Sequence, residues 1–81
     1  MDLARLLAES IQGLRREAGL TQTQLARRLG ISQPTLNRIE SSAHNVKLET
    51  LTKLCEALRC DPCDLFRPGS LRLHRPPGRG A

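Results

Sequence analysis

Aliphatic residues at helical spacing, separated by helix-capping and helix-ending residues, are the feature that most constrains this chain of 81 residues. The apolar residues of the first segment fall on one face of a helix, and they are Leu3, Leu6, Leu7, Ile11, Leu14 and Ala18. Asp2 is a candidate N-cap, and Gly19 stands where a left-handed residue ends a helix. The chain has one Phe and neither Trp nor Tyr, so its core must be aliphatic. No segment alternates with period two, and we predict no strands.

The next two helices are short and closely spaced. Thr21 and Gln24 have the spacing of a capping box that starts the second helix, and Gly30 ends it. Ser32 can cap the third helix, with Pro34 in the first turn, where its missing N–H costs nothing. These signals predict two helices joined by a tight turn.

A fourth and a short fifth helix complete the predicted body, residues 1–66. Apolar residues at helical spacing indicate the fourth helix, and they are Leu48, Leu51, Leu54, Cys55 and Leu58. Asp61-Pro62 begins the fifth helix, which buries Leu65 and Phe66. Residues 67–81 are rich in Pro, Gly and Arg, and we predict a flexible basic tail there. That tail holds four of the thirteen Lys and Arg residues and no acid, so the remaining chain is nearly neutral.

Residues 22–41 carry the strongest functional signal. Two crossing helices need a small residue and a turn that tolerates positive φ, which Ala26 and Gly30 provide. Five branched aliphatic residues fill the inward positions, and they are Leu25, Leu29, Ile31, Leu36 and Ile39. The outward positions of the third helix are Gln33, Pro34, Asn37 and Arg38, flanked by Ser32 and Thr35. Amide and guanidinium groups suit base edges, and hydroxyls suit phosphate. The alternative is a helical hairpin with a solvated polar face.

At these positions residues 3–66 resemble the phage repressor/Cro type of helix-turn-helix, the Xre-like transcriptional regulators. The matching stretches are Leu20-Thr21-Gln22, Gln24-Leu25-Ala26, Leu29-Gly30-Ile31-Ser32, Ile39-Glu40, Leu48-Glu49-Thr50-Leu51, Ala57-Leu58 and Asp64-Leu65-Phe66. The resemblance implies an all-α, five-helix bundle in the cytoplasm of a bacterium or phage. It also implies a homodimer that binds double-stranded operator DNA through the major groove and acts as a repressor.

The resemblance also implies roles for individual residues. Base reading falls on Gln33, Pro34, Asn37 and Arg38, of which Pro34 can give only apolar contact. A structural ion pair falls on Arg15 and Glu40. Phosphate contact falls on Gln22, and the other expected phosphate contacts are Thr21, Ser32, Thr35, Ser41, Asn45 and Lys47, with Ser42 as a further candidate. The loop after Glu40 is Ser41-Ser42-Ala43-His44-Asn45, whereas the family often has Asn-Gly followed by basic residues. We therefore expect Arg72, Arg75 and Arg79 to supply part of the phosphate attraction.

Other readings follow from the remaining residues. An antitoxin of a toxin–antitoxin pair would bind its operator with the same body and a toxin with residues 67–81. Cys55, Cys60 and Cys63 have the spacing C-x4-C-x2-C, but one chain does not supply a fourth ligand, so we predict core packing and no metal or cofactor. The alternative is a thiol or metal sensor that uses these cysteines, with Cys63 as the thiol open to oxidation or crosslinking. The sequence has no catalytic triad, dyad or Gly-rich phosphate loop, so we predict that the protein is not an enzyme. No apolar run is long enough to span a membrane, so we also predict no membrane segment. We expect the dimer to form through Leu65, Phe66, Leu71 and Leu73.

Overall fold

The computed structural model describes residues 1–74, and this part of the chain contains five helices and no strand. The helices are α1 (Leu3–Ala18), α2 (Gln22–Leu29), α3 (Gln33–Glu40), α4 (Leu48–Leu58) and α5 (Pro62–Leu65). The predicted all-α, five-helix architecture is confirmed. The prediction for residues 75–81, with Arg75 and Arg79, lies outside the described residues.

Local capping explains where the first helices begin and end. The Asp2 carboxylate accepts the backbone N–H of Arg5 at 3.2 Å, and Gly19 ends α1 with a φ of 68°. At the start of α2, Thr21 Oγ1 accepts the N–H of Gln24 at 3.1 Å. The Gln24 side chain accepts the N–H of Thr21 in return, at 2.9 Å. These reciprocal bonds satisfy two of the amide groups that a helix N-terminus leaves without partners.

The core is aliphatic and lies where α1 crosses α3 and where α2 packs on α3 and α4. Helix α5 covers one end by packing against both α1 and α4. The most deeply buried side chains are Ile11, Leu25, Leu29, Leu36, Ile39, Leu54, Leu58 and Leu65. This packing fixes α3 so that one side faces the core and the other faces outward.

The segment after α5 continues to cover the core. Leu71 is only 3% exposed, and Leu73 packs against the same cluster. Arg28 Nη2 donates to the carbonyl of His74 at 3.1 Å, which ties the end of the described chain to α2. Two more leucines at the open edge increase the apolar surface that this small core buries, and buried apolar surface is what limits the stability of small domains. We therefore place the end of the packed body beyond Leu73, whereas the sequence pattern suggests Phe66.

Two predicted core positions are exposed instead. Leu48 is 80% exposed, and Leu3 is 52% exposed. Each is the first residue of its helix, and full burial begins only at Leu7 on α1 and at Leu54 on α4. A helix end that extends past its neighbours leaves its first apolar residue uncovered, even though the residue continues the apolar stripe.

No helix within residues 1–74 is long and apolar enough to cross a membrane.

Candidate nucleic-acid interface

Helix α3 buries one side and exposes a polar side. Leu36 and Ile39 are fully buried. The four predicted base-reading residues are all exposed, and they are Gln33, Pro34, Asn37 and Arg38. Residues four apart lie next to one another on a helix surface, so these four side chains form one continuous face. That face carries two amides and one guanidinium group, which suit base edges.

Gln22, the first residue of α2, connects that face to the rest of the molecule. Its Nε2 donates to Glu40 Oε1 at 3.2 Å. Its Oε1 accepts from Gln33 Nε2 and from Asn37 Nδ2, both at 3.4 Å. An amide nitrogen has two N–H donors, so Gln22 retains one for an acceptor outside the protein. The structure thus brings a predicted phosphate contact and two predicted base-reading residues into one hydrogen-bonded group.

Glu40, the last residue of α3, accepts a hydrogen bond from Gln22 and so holds this hydrogen-bonded group in position. Its side chain is buried, and it accepts from Arg15 Nε at 2.8 Å and from Arg15 Nη2 at 3.0 Å. Arg15 Nη1 also donates to the carbonyl of Leu20 at 3.2 Å, just before α2. Gln12 donates to the backbone carbonyl of Glu40. Sequence reasoning missed Gln12, although it lies one turn before Arg15 on the same edge of α1.

The four predicted hydroxyl contacts differ in whether their protons are available. Ser32 Oγ donates to Thr35 Oγ1 at 2.8 Å, and Ser41 Oγ donates to the Arg38 carbonyl at 3.0 Å. The hydroxyl protons of Thr21 and Thr35 make no hydrogen bond to any residue within 1–74. Thr21 can therefore donate to a phosphate oxygen without breaking an internal bond. One hydroxyl of the Ser32–Thr35 pair can do the same, because either can act as the donor to the other, whereas Ser41 cannot.

A groove of about 530 Å³ lies between α3 and α4, beside the exposed face. Arg38, Lys47 and Lys53 line it together with Glu49 and Asn45, so cationic groups outnumber carboxylates there. Lys53 was not among the predicted contacts, because sequence reasoning assigned only the apolar side of α4. The groove adds a basic flank to the polar face of α3.

The loop after α3 has two distinctive local features. Ser42 adopts a φ of 65°, the left-handed region that Gly or Asn occupies most readily. His44 Nε2 lies 3.4 Å from Asp2 Oδ1 at the start of α1. The N–H of Arg5, and then His44, lower the pKa of Asp2 from its ordinary value. The centre of the loop therefore lies beside the N-cap residue of α1.

The dimer seam expected from the sequence needs correction. Leu65 and Leu71 are buried by their own chain, because α5 and the following segment fold back over the core. They are not available to a second copy. Phe66 and Leu73 are partly covered as well. Arg72 Nη1 donates to the carbonyls of Gly69 and Leu71, so this guanidinium lies along its own segment.

The cysteines form no evident metal centre in the described chain. Cys55 and Cys60 are partly buried, and Cys63 is exposed. Within residues 1–74, no group of three or more His, Cys, Asp or Glu side chains is arranged to hold a metal ion.

Comparison with known proteins gives a consistent result. A family model described as helix-turn-helix matches residues 11–65. The chain is 37% identical over 68 residues to an uncharacterised HTH-type transcriptional regulator, y4dJ, of Sinorhizobium fredii. That match covers 84% of this chain and 88% of the relative. The crystal structure of a hypothetical transcription factor, NHTF from Neisseria, superimposes with a TM-score of 0.69 at 28% identity. It covers 84% of this chain and 78% of that one.

Two antitoxins are also similar over the helical body. Antitoxin HigA1 of Mycobacterium tuberculosis is 36% identical over 55 residues, which are 68% of this chain and 37% of that protein. Antitoxin HipB of Escherichia coli is 35% identical over 52 residues, which are 64% of this chain and 59% of that protein. The chain thus spans less than two thirds of either antitoxin.

Proposed function

The chain belongs to the helix-turn-helix family of DNA-binding transcriptional regulators, of the repressor/Cro (Xre-like) type, and we propose that it is a homodimeric repressor. In this proposal α3 enters the major groove of double-stranded operator DNA. Gln33, Asn37 and Arg38 read base edges, and Pro34 contacts a thymine methyl. The protein would block a promoter by occupying the operator.

The observation that carries the proposal is the exposed face of α3 with Gln22 behind it. Freely rotating amides would lose side-chain entropy when they bind a base edge. The hydrogen bonds from Gln33 and Asn37 to Gln22 already restrict both side chains. This support favours direct readout over a merely solvated polar face.

Phosphate contacts on either side of α3 would fix its orientation. On one side, Thr21, Gln22 and the first-turn N–H groups of α2 offer donors at the positive end of a helix dipole. On the other side, the groove lined by Lys47 and Lys53 offers positive charge. Such contacts position a protein on the duplex without reading sequence.

The readout is tested on a site selected from random-sequence duplexes with the full chain. We expect Gln33→Ala and Arg38→Ala each to weaken binding to that site by ~1–3 kcal/mol and to relax preference at one base step. Arg27→Ala is the matched control, because Arg27 is also exposed but borders α4 near Glu56. It removes the same charge from a different surface.

The comparison with random DNA decides the assignment. If Arg38→Ala lowers affinity for selected and random duplexes equally, Arg38 contacts phosphate only. If Arg27→Ala has the same effect as Arg38→Ala at every salt concentration, total charge rather than placement governs binding, and the proposed readout is wrong.

We propose that the dimer forms through apolar side chains that the chain leaves uncovered. Leu3 and Leu48 are exposed, and a groove beside Leu3 is lined by Val46, Leu51 and Phe66. The loop from α3 leads directly to this surface. Dimers of helix-turn-helix proteins bind two half-sites about one DNA turn, ~34–36 Å, apart.

Sedimentation of two matched variants tests the dimer. Leu48→Glu places a charge on the proposed surface, whereas Ala18→Glu places it at the end of α1 opposite to Leu3, also at an exposed position. We expect the first variant to be monomeric and to lose cooperative binding to two half-sites, and the second to remain dimeric. A dimer that survives Leu48→Glu rules out this surface.

An antitoxin role is the second candidate, supported by the similarity to HigA1 and HipB. The segment after His74 would then bind a toxin. Truncation after His74 removes Arg75 and Arg79 but keeps the buried Leu71. If the segment binds phosphates, truncation weakens binding to all sequences and lowers the salt slope by about 0.9 per lost contact. If affinity and salt dependence are unchanged, and the product of the adjacent gene co-purifies only with the full chain, the antitoxin role is favoured.

A further inference from the structure

The C-terminus of α4 brings two cysteines together. Helix α4 ends at Leu58, and Arg59 follows in the left-handed region with φ 52° and ψ 49°. The N–H of Cys60 then donates to the carbonyl of Cys55 at 3.1 Å. This is the longer of the two bonds of a Schellman motif, and the N–H of Arg59 also donates to the Cys55 carbonyl. In such helix ends the side chains at the positions of Cys55 and Cys60 commonly contact one another. The fold therefore pairs residues that are five positions apart in the sequence.

The surroundings of the two thiols differ from those of Cys63. Cys55 and Cys60 are partly buried and pack against the core, whereas Cys63 is exposed on α5. Burial and then the neighbouring Cys55, with smaller contributions from Asp64 and Asp61, together raise the pKa of the Cys60 thiol to about 11. The backbone hydrogen bond thus brings residues 55 and 60 together, and the raised pKa keeps the Cys60 thiol protonated at neutral pH.

We propose that Cys55 and Cys60 form a dithiol site that a small disulfide, such as glutathione disulfide, oxidises to an intramolecular disulfide. Disulfides join residues whose α-carbons are about 4.4–6.8 Å apart, and a direct backbone hydrogen bond holds Cys55 and Cys60 within reach of that range. The product links the last turn of α4 to the residue before the N-cap of α5. It leaves Cys63 as a free thiol.

The reaction proceeds by two thiol–disulfide exchanges. The Cys55 thiolate attacks one sulfur of glutathione disulfide, which forms a mixed disulfide and releases one glutathione thiolate. The Cys60 thiolate then attacks the Cys55 sulfur and releases the second glutathione. The two cysteines lose two protons and two electrons, and glutathione disulfide gains them as two glutathione thiols. Cys55 attacks first because the raised pKa of Cys60 disfavours its thiolate.

Thiol counting on the full chain tests the proposal. The reduced protein has three thiols, and after incubation with glutathione disulfide at mildly alkaline pH we expect one. Alkylation followed by peptide mapping should find Cys63 labelled and Cys55 joined to Cys60. Cys63→Ser should still form the disulfide, and Cys60→Ser should stop at the mixed disulfide. Phenylarsine oxide, which bridges two adjacent thiols, should bind once per chain in Cys63→Ser and be lost in Cys60→Ser.

Other products would overturn the site. A Cys63–Cys63 link between two chains, with Cys55 and Cys60 still alkylated, would show that exposure alone decides reactivity. A Cys55–Cys63 disulfide in Cys60→Ser, formed as fast as the native one, would show that the Schellman contact is irrelevant. Retention of all three thiols together with no arsenical binding would show that the two sulfur atoms do not meet.

Discussion

Replacing Glu40 with Ala should destabilise the protein more than any surface change. Glu40 is 8% exposed, and its carboxylate accepts from Arg15 Nε at 2.8 Å, from Arg15 Nη2 at 3.0 Å and from Gln22 Nε2 at 3.2 Å. Removal leaves the Arg15 guanidinium without a counter-charge between α1 and α3, and it leaves Gln22 without its acceptor. The loss therefore affects both the packing of α3 and the order of its exposed face.

The size of the stability loss depends on how much of the Arg15–Glu40 ion pair is buried. Breaking a fully buried pair costs ~3–5 kcal/mol. The Arg15 side chain is 24% exposed, so water can reach part of the charge that is left behind. We expect a loss of about 2–4 kcal/mol in the free energy of unfolding, which corresponds to roughly 8–32 °C in Tm for a domain of this size.

Urea unfolding and thermal melting of Glu40→Ala and Glu9→Ala form the test. Glu9 pairs with Arg5 at 3.2 Å, but those side chains are 48% and 73% exposed, so its loss should cost below about 0.5 kcal/mol. A double variant, Arg15→Met with Glu40→Met, should recover much of the loss because no unpaired charge remains. If Glu40→Ala costs no more than Glu9→Ala, the burial argument is wrong.

Four further outcomes are expected from the packing and the backbone. Leu71→Ala should cost ~2–5 kcal/mol in urea unfolding, because its side chain is buried; a cost near zero would place Leu71 outside the core. Ser10→Ala should be neutral or stabilising by up to ~1 kcal/mol in Tm-derived free energy, because the buried Ser10 Oγ has no hydrogen-bond partner within residues 1–74. Ser42→Gly should stabilise by roughly 0.5–1 kcal/mol, since it relieves a left-handed conformation. Stability should fall as pH rises from about 9 to 11, because the folded Cys60 holds its proton to about 11 while the unfolded thiol loses it near 9.0; Cys60→Ala should remove that part of the decline.

The sequence by itself determined the elements and their ends. Capping residues and glycines act within one turn, so Thr21, Gln24 and Gly30 fix the bounds of α2 from local chemistry alone. The spacing of aliphatic residues likewise distinguished the inward side of α3 from its outward side. The pairing of Arg15 with Glu40 was accessible only through the resemblance to a family, because 25 positions separate the two residues.

The tertiary structure decided which apolar residues are covered and which polar groups meet. Leu48 and Leu71 are both leucines outside the centre of the predicted pattern, yet one is 80% exposed and the other 3% exposed. The hydrogen bonds of Gln22 to both α3 amides also depend on where separate backbone segments come to lie. Periodicity reports which side of a helix is apolar, but burial depends on whether another part of the chain reaches that side. That is settled by the packing of the whole chain.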